Sequence, residues 1–237
     1  MKIRIKFAKE GAMKFIGHLD MMRYFQKVMR RANVNIRYSE GFSPHQIMSF
    51  AAPLGVGLTS RGEYVDIEAL STDSSQEMLR RINAAMTEGV EALSYRRLPD
   101  SAASAMSIVA AADYTLCFRE GYEPGNWEDF AAGLTEFLKR DSILVLKKTK
   151  KGERETDIRP WIYGLEILPD RRLRMRVAAG SVANLKPELV IQACLKEQGK
   201  ELSEFALLIH RDEVYANCGE EGSPIFRPLE DLGEDIE

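Results

Sequence analysis

The chain has 237 residues, 45% of them hydrophobic and 29% charged, enough for one large core or two small ones. No apolar run reaches the ~18 residues that a membrane span needs, and the opening Met-Lys-Ile-Arg-Ile-Lys alternates like a strand instead of forming a signal segment, so a soluble, cytoplasmic protein without a membrane partner is expected. The formal net charge of −3 hides a division: residues 1–50 hold ten Lys or Arg against three Asp or Glu, and residues 218–237 hold seven acids against one Arg, so without that tail −3 becomes +3.

A mildly basic body with its cations concentrated favours a polyanionic partner. The acidic tail, with its Gly and Pro, is expected to be disordered or loosely docked, as a solubilising segment or as an internal competitor for nucleic acid. Cys117, Cys194 and Cys218 are widely spaced and show no CxxC pattern, which argues against a disulfide framework, a zinc ribbon or an iron-sulfur cluster. No metal and no cofactor is expected. Cys117 and Cys194 read as core fillers.

In chain order, residues 2–7 alternate as a strand, and residues 14–31 read as a helix. Phe15, Leu19, Met22, Phe25 and Met29 recur at the spacing of one buried stripe, with Asp20, Arg23, Lys27 and Arg30 on a separate face. Asp20 in the first turn and Arg30 and Arg31 in the last complement the helix dipole. These charges fit either a solvated face or a cationic strip for an anion. Residues 35–38, which include Arg37, read as a short strand, and residues 39–44 carry turn residues that place His45 just after a turn. Phe42 is expected first as an anchor to the core and second as an aromatic platform.

Residues 47–54 and 63–70 read as extended, separated by a Gly-rich stretch. Residues 76–86 form a helix behind the helix-start residues 71–75, and residues 90–98 extend again. The second half repeats the order: a strand at 113–118, a helix at 127–139, extended segments at 143–146, 158–168 and 172–177, a helix opened by Lys186-Pro187-Glu188, and a strand at 205–210. This order predicts an α+β protein of tandem ferredoxin-like (βαββαβ) units with antiparallel sheets: residues 1–105, residues 106–217 and an acidic tail at 218–237. In that arrangement the helices cover one sheet face and leave the other available. A second basic cluster, Lys147, Lys148, Lys150, Lys151 and Arg154, falls at an expected hairpin tip, followed by Asp157, Arg159 and Trp161. Lysines there fit phosphate contacts or a solubilised edge. Trp161 reads as core before base platform.

Several ordered stretches carry a resemblance. Phe15-Ile16-Gly17-His18-Leu19-Asp20-Met21-Met22-Arg23, Tyr38-Ser39-Glu40-Gly41-Phe42-Ser43-Pro44-His45, Ser49-Phe50-Ala51 with Pro53-Leu54 and Gly57, and Glu63-Tyr64-Val65-Asp66 resemble a radical-SAM-linked family, domain of unknown function 2344. Lys151-Gly152 and Asp157-Ile158-Arg159-Pro160 resemble its second motif. Two departures from the pattern occur: Gly17 stands where a serine is expected, and Ser43 with Gln46 alters an Asn-Pro-His-Pro run. The resemblance implies a radical SAM protein as partner and names no reaction.

Three functions are compatible with these residues. The first is an accessory RNA-binding module that presents tRNA or ribosomal RNA to the radical SAM partner through Arg23, Lys27, Arg30, Arg31, Arg37, Phe42, His45, Lys147, Lys148, Lys150, Lys151, Arg154 and Arg159. The second is a His-dependent RNA-processing enzyme using His18, Asp20 and His45 for acid-base work. The third is a protein-binding adaptor for that partner without RNA contact, whose mark would be an exposed apolar patch.

Overall fold

A computed structural model describes residues 1–149, 152–220 and 222–237. The chain divides into two compact units, Met1–Ala111 with Arg211–Glu237, and Ala112–His210. The first unit runs through β1 (Lys2–Lys9), a 3-10 turn at Gly11–Phe15, α1 (His18–Arg31), β2 (Met48–Phe50), β3 (Thr59–Glu68), α2 (Ser75–Ala84), β4 (Val90–Arg97), the single turn α3 (Ala105–Ile108) and the start of β5 (Val109–Phe118). The second contains the rest of β5, α4 (Trp127–Phe137), β6 (Leu144–Thr149), β7 (Gly152–Asp157), β8 (Ile162–Ile167), β9 (Leu173–Ala178), α5 (Pro187–Glu197) and the start of β10 (Leu207–Asn217). The end of β10, β11 (Phe226–Pro228) and a 3-10 turn at Leu229–Leu232 return to the first unit.

Within the first unit β1 pairs antiparallel with both β3 and β4, and β2 pairs antiparallel with β3. The order is β4-β1-β3, with the end of β10 also beside β3 and β11 on β10. Alternation along β1 sends Ile3, Ile5 and Phe7 into a core with Phe25 and Met29 of α1, Val65 and Ile67 of β3, and Met78 and Ile82 of α2. Phe7 and Phe25 meet at 4.6 Å between ring centroids, and Phe25 meets Phe50 edge-on at 5.4 Å. In the second unit the order is β10-β5-β9-β8, with β8 and β9 antiparallel, while β6 and β7 form a separate two-stranded sheet. The protein is α+β, and its described ladders are antiparallel.

Helix ends follow local chemistry. Ser74 caps α2 by accepting from the Glu77 N–H at 3.3 Å, and Asn126 caps α4 by accepting from Asp129 N–H at 3.0 Å. Gly17 at the start of α1 supplies no side-chain cap.

Several expectations are corrected. The helix expected from residue 14 begins at His18, because the chain first makes the 3-10 turn. The buried stripe of α1 is Met21, Phe25, Val28 and Met29, set by packing on the sheet and α2, and Phe15 and Leu19 are exposed. Residues 35–38 make isolated bridges, Ile36 to Ala69 and Tyr38 to Gln46, in place of a strand. β7 was not expected, since its sequence Gly-Glu-Arg-Glu-Thr-Asp is polar throughout. β10 runs seven residues past His210, back into the first unit.

The tail is docked. Arg97 and Glu234 form a backbone bridge, Ser75 N–H donates to Ile236 O at 2.9 Å, and Arg96 meets Asp235 at 3.1 Å. Nor is the sheet face opposite the helices left open. Arg4 there is 1% exposed, holds Asp66 in a two-bond fork at 2.8 and 2.9 Å, and donates to Leu229 O. The Asp66 carboxylate also accepts from Ala105 N–H at 2.7 Å, and Lys6 meets Glu230 at 2.6 Å. Residues 102–105 and 229–230 therefore reach this face, drawn by charged strand residues that need partners once buried.

Candidate nucleic-acid interface

The core-facing side of α1 is apolar, so its charges collect on the other side. Arg23, Lys27, Arg30 and Arg31 are all exposed. Positions 23, 26, 27 and 30 share one helical face by their spacing of three and four. Arg23 meets Asp20 at 3.1 Å in an exposed pair. Among the described residues no acid stands within ion-pair distance of Lys27, Arg30 or Arg31. Arg37, beyond the helix, meets Glu68 at 3.3 Å.

The loop at residues 38–46 docks beside this face. Ser39 and His45 close it: Ser39 N–H donates to His45 O at 2.8 Å, His45 N–H donates to Ser39 Oγ at 3.1 Å, and the imidazole Nδ1 lies 2.9 Å from the same hydroxyl. Gln46 is 5% exposed, and its Nε2 donates to Gln26 O of α1 at 3.3 Å and to Tyr38 Oη at 3.4 Å. Its Oε1 is buried without a partner. At the tip Gly41 takes φ +107°, a left-handed conformation that a side chain would strain. The next residue, Phe42, is fully exposed. It is not the core anchor expected first, because every bond that closes the loop is polar and the tip points away from the core.

His18 and His45 have different partners. His18 is half-buried at the start of α1, edge-on to Phe50 at 5.4 Å. It lies two helical turns before Gln26, or about 12 Å along the axis at 1.5 Å per residue. No hydrogen bond among the described residues joins His18 to Asp20 or His45. The grouping of three residues for acid-base work thus has no hydrogen bond among its members in the described residues.

The second basic cluster divides. Lys150 and Lys151 lie outside the described residues. Lys147 pairs with Arg154 and Lys148 with Glu153 across the β6–β7 ladder, and Arg154 is exposed. Arg159 is a brace: its guanidinium donates to Arg140 O at 3.1 Å and Ile162 O at 3.2 Å. Asp157 accepts from the N–H groups of Ile143 at 2.8 Å and Arg159 at 3.0 Å, which hold its carboxyl below the usual carboxylate range. Trp161 is half-buried. Of the cysteines, Cys194 is buried, which with nearby Glu197 pushes its thiol up to about 11; Cys117 is half-buried and Cys218 exposed. No group of His, Cys, Asp and Glu suited to a metal occurs among the described residues.

Sequence reasoning passed over the buried charges of the first unit. Lys9 donates to Ile16 O at 2.7 Å, immediately before the helix. Arg211 and Glu63, each 5% exposed at the side chain, pair at 2.5 Å, and Arg211 also donates to Ala52 O. Burial lowers the Lys9 ammonium, Glu63 opposes that shift, and Arg211 adds to it. Next to them Lys6 lies between Glu213 and Glu230, both at 2.6 Å, and Tyr64 donates to Glu213 at 2.6 Å. Burial disfavours the Lys6 ammonium, yet the two carboxylates outweigh it and its pKa rises. The available signal was charge at positions 4, 6 and 9 of a strand with an apolar alternate face.

With this geometry in place, residues 2–187 match the family described as "Uncharacterized protein conserved in bacteria (DUF2344)". The chain belongs to the DUF2344 family. The match covers α1, the 38–46 loop and the β6–β7 sheet. A solved structure described as "Crystal Structure of a Cbf5-Nop10-Gar1 Complex" is similar in fold, with a TM-score of 0.50 and 12% identity over 90% of this chain. The likeness takes in 48% of that other chain, so this protein spans about half its length. No curated protein matches. In the described residues of this DUF2344 chain, no helix is long and apolar enough to cross a membrane.

Proposed function

We propose that this DUF2344 protein is an accessory RNA-binding module that acts beside a radical SAM enzyme, and that its two units are ferredoxin-like. The observation that carries the RNA reading is the outward face of α1, where Arg23, Lys27 and Arg30 are exposed beside a loop tethered at Gln26. Lys27 and Arg30 have no acid within ion-pair distance among the described residues, and the exposed Arg23–Asp20 pair is weak, so all three can gain from phosphates, whose bound counterions they release. The fold reading draws support from the spatial orders β4-β1-β3 with β2 beyond, and β10-β5-β9-β8, the first built from a strand-helix-strand-strand-helix-strand succession and the second from the same succession with the β6–β7 hairpin inserted after α4. The radical SAM partner rests on the resemblance of the Gly17-His18-Leu19-Asp20 and 38–45 stretches.

Binding of cellular RNA at two salt concentrations tests the reading. Salt-sensitive, saturable binding is expected, and Arg23→Ala with Arg30→Ala should lower the log-log salt slope by about 1.4 on single strands, two contacts at about 0.7 each. An unchanged slope and affinity would remove α1 as the contact.

A second reading, a protein-binding adaptor, has one observation in its favour. Phe15, Leu19 and Val56 are exposed apolar residues near the start of α1, where Gly57 N–H donates to Lys14 O at 2.8 Å. No RNA binding at low salt, together with retained capture of the radical SAM partner, would move the assignment there.

A further inference from the structure

The surface of α1 and its loop differs from a plain cationic strip in one residue, Phe42. A phenyl ring normally contributes to folding by leaving water, yet this one is fully exposed on a loop whose closure uses only polar groups. The loop is not a loose appendage: Gln46 holds it at Gln26, on the same helical face as Arg23, Lys27 and Arg30. A solvated aromatic ring thus stands on a tethered loop beside a row of cations.

Resting on the RNA-binding reading above, we infer that this surface selects single-stranded RNA, with an unpaired base stacked on Phe42 and the adjoining phosphates met by Arg23, Lys27 and Arg30. An A-form duplex keeps its base faces inside the stack and offers a protruding phenyl ring nothing to stack on. A single strand offers both partners at once, a free base face for the ring and phosphates for the cations. Phenylalanine has no hydrogen-bonding group, so the contact discriminates unpaired from paired nucleotides and not one base from another.

Fluorescence anisotropy on the full chain tests this with a labelled single strand of about 12 nucleotides, within the span of a single-strand site, and with its blunt duplex, each at two salt concentrations. The single strand should bind at least about five-fold tighter than the duplex, given one stacked base. Phe42→Ala should weaken single-strand binding about 5- to 150-fold while leaving the salt slope unchanged, because no phosphate contact is lost. Phe42→Trp should keep the affinity, and its added indole emission should be quenched by the stacked base. Equal affinity for strand and duplex, or a Phe42→Ala variant that binds the single strand as the parent does, overturns the inference and leaves the RNA-binding reading standing. Failure of the unaltered chain to bind either RNA overturns both.

Discussion

Arg211 and Glu63 illustrate why the same ion pair has different worth in different places. Both side chains are 5% exposed, so neither charge has water to fall back on. Removing Glu63 alone, as in Glu63→Leu, should destabilise the first unit by about 3–5 kcal/mol, whereas Glu63→Leu with Arg211→Met should cost less than the single change. Urea unfolding of the three proteins decides it, and a double variant worse than Glu63→Leu would contradict the argument. By contrast, the exposed Arg23–Asp20 pair at 3.1 Å should contribute under about 1 kcal/mol, which makes Arg23 available for substitution without unfolding. Asp157 adds a pH-dependent contribution. Its folded pKa is depressed by two backbone N–H groups, so its stabilisation is present above the ordinary carboxylate pKa and lost as pH falls through the folded value. Acid titration of stability should therefore be shallower in Asp157→Asn than in the parent; identical acid limbs would show that the two N–H bonds contribute nothing.

Among the elements, β3 and the end of β10 depend on the absence of a side chain. A Cβ at Gly62 would stand 2.5 Å from Glu213 Cα and 2.7 Å from Asp212 O, both backbone atoms. The strands would have to part, so Gly62→Ala should cost about 1–3 kcal/mol as an overpacking change, read as a lower urea midpoint. An unchanged midpoint would mean that the close approach relaxes freely. The same approach places Glu213 beside Tyr64 and Lys6, so the variant should also disturb that polar cluster. In α1 the element-scale lesson is different. The helix period was legible, but its phase was not, because packing against β1, β3 and α2 decided which side faces the core. Phe15 falls in the 3-10 turn and Leu19 on the outer side of the helix, so both are exposed where a core was expected.

Over the whole chain, the return of the C-terminal residues has the largest consequence. Leu229 is fully buried, its carbonyl accepts from Arg4, Glu230 meets Lys6, and Ile236 exchanges hydrogen bonds with Ser75 at 2.9 Å in both directions. A chain ending at residue 225 should lose about 1 kcal/mol for each of these bonds besides the apolar burial of Leu229. Its first unfolding transition in urea should move to lower concentration. A truncated chain as stable as the parent would mean that the tail lies on the sheet without supporting it. The acids Glu230 and Asp235 have Lys6 and Arg96 as partners, so this segment acts as structure where its composition had suggested a solvated tail.

Local chemistry by itself determined most elements of this protein. Alternation in β1, the capping residues before α2 and α4, proline at the first turn of α5 and the outward row of cations on α1 depend on neighbours within a few positions, and those neighbours are written in order along the chain. Tertiary structure decided what distant residues do to one another. The burial of Arg4 by Asp66 and Leu229 and the pairing of Glu63 with Arg211 across 148 positions follow from strand order and register. The same holds for Phe42, whose exposure depends on what the folded chain leaves beside the loop. A large aromatic residue in a turn carries the same local signal whether it is buried or presented to a ligand.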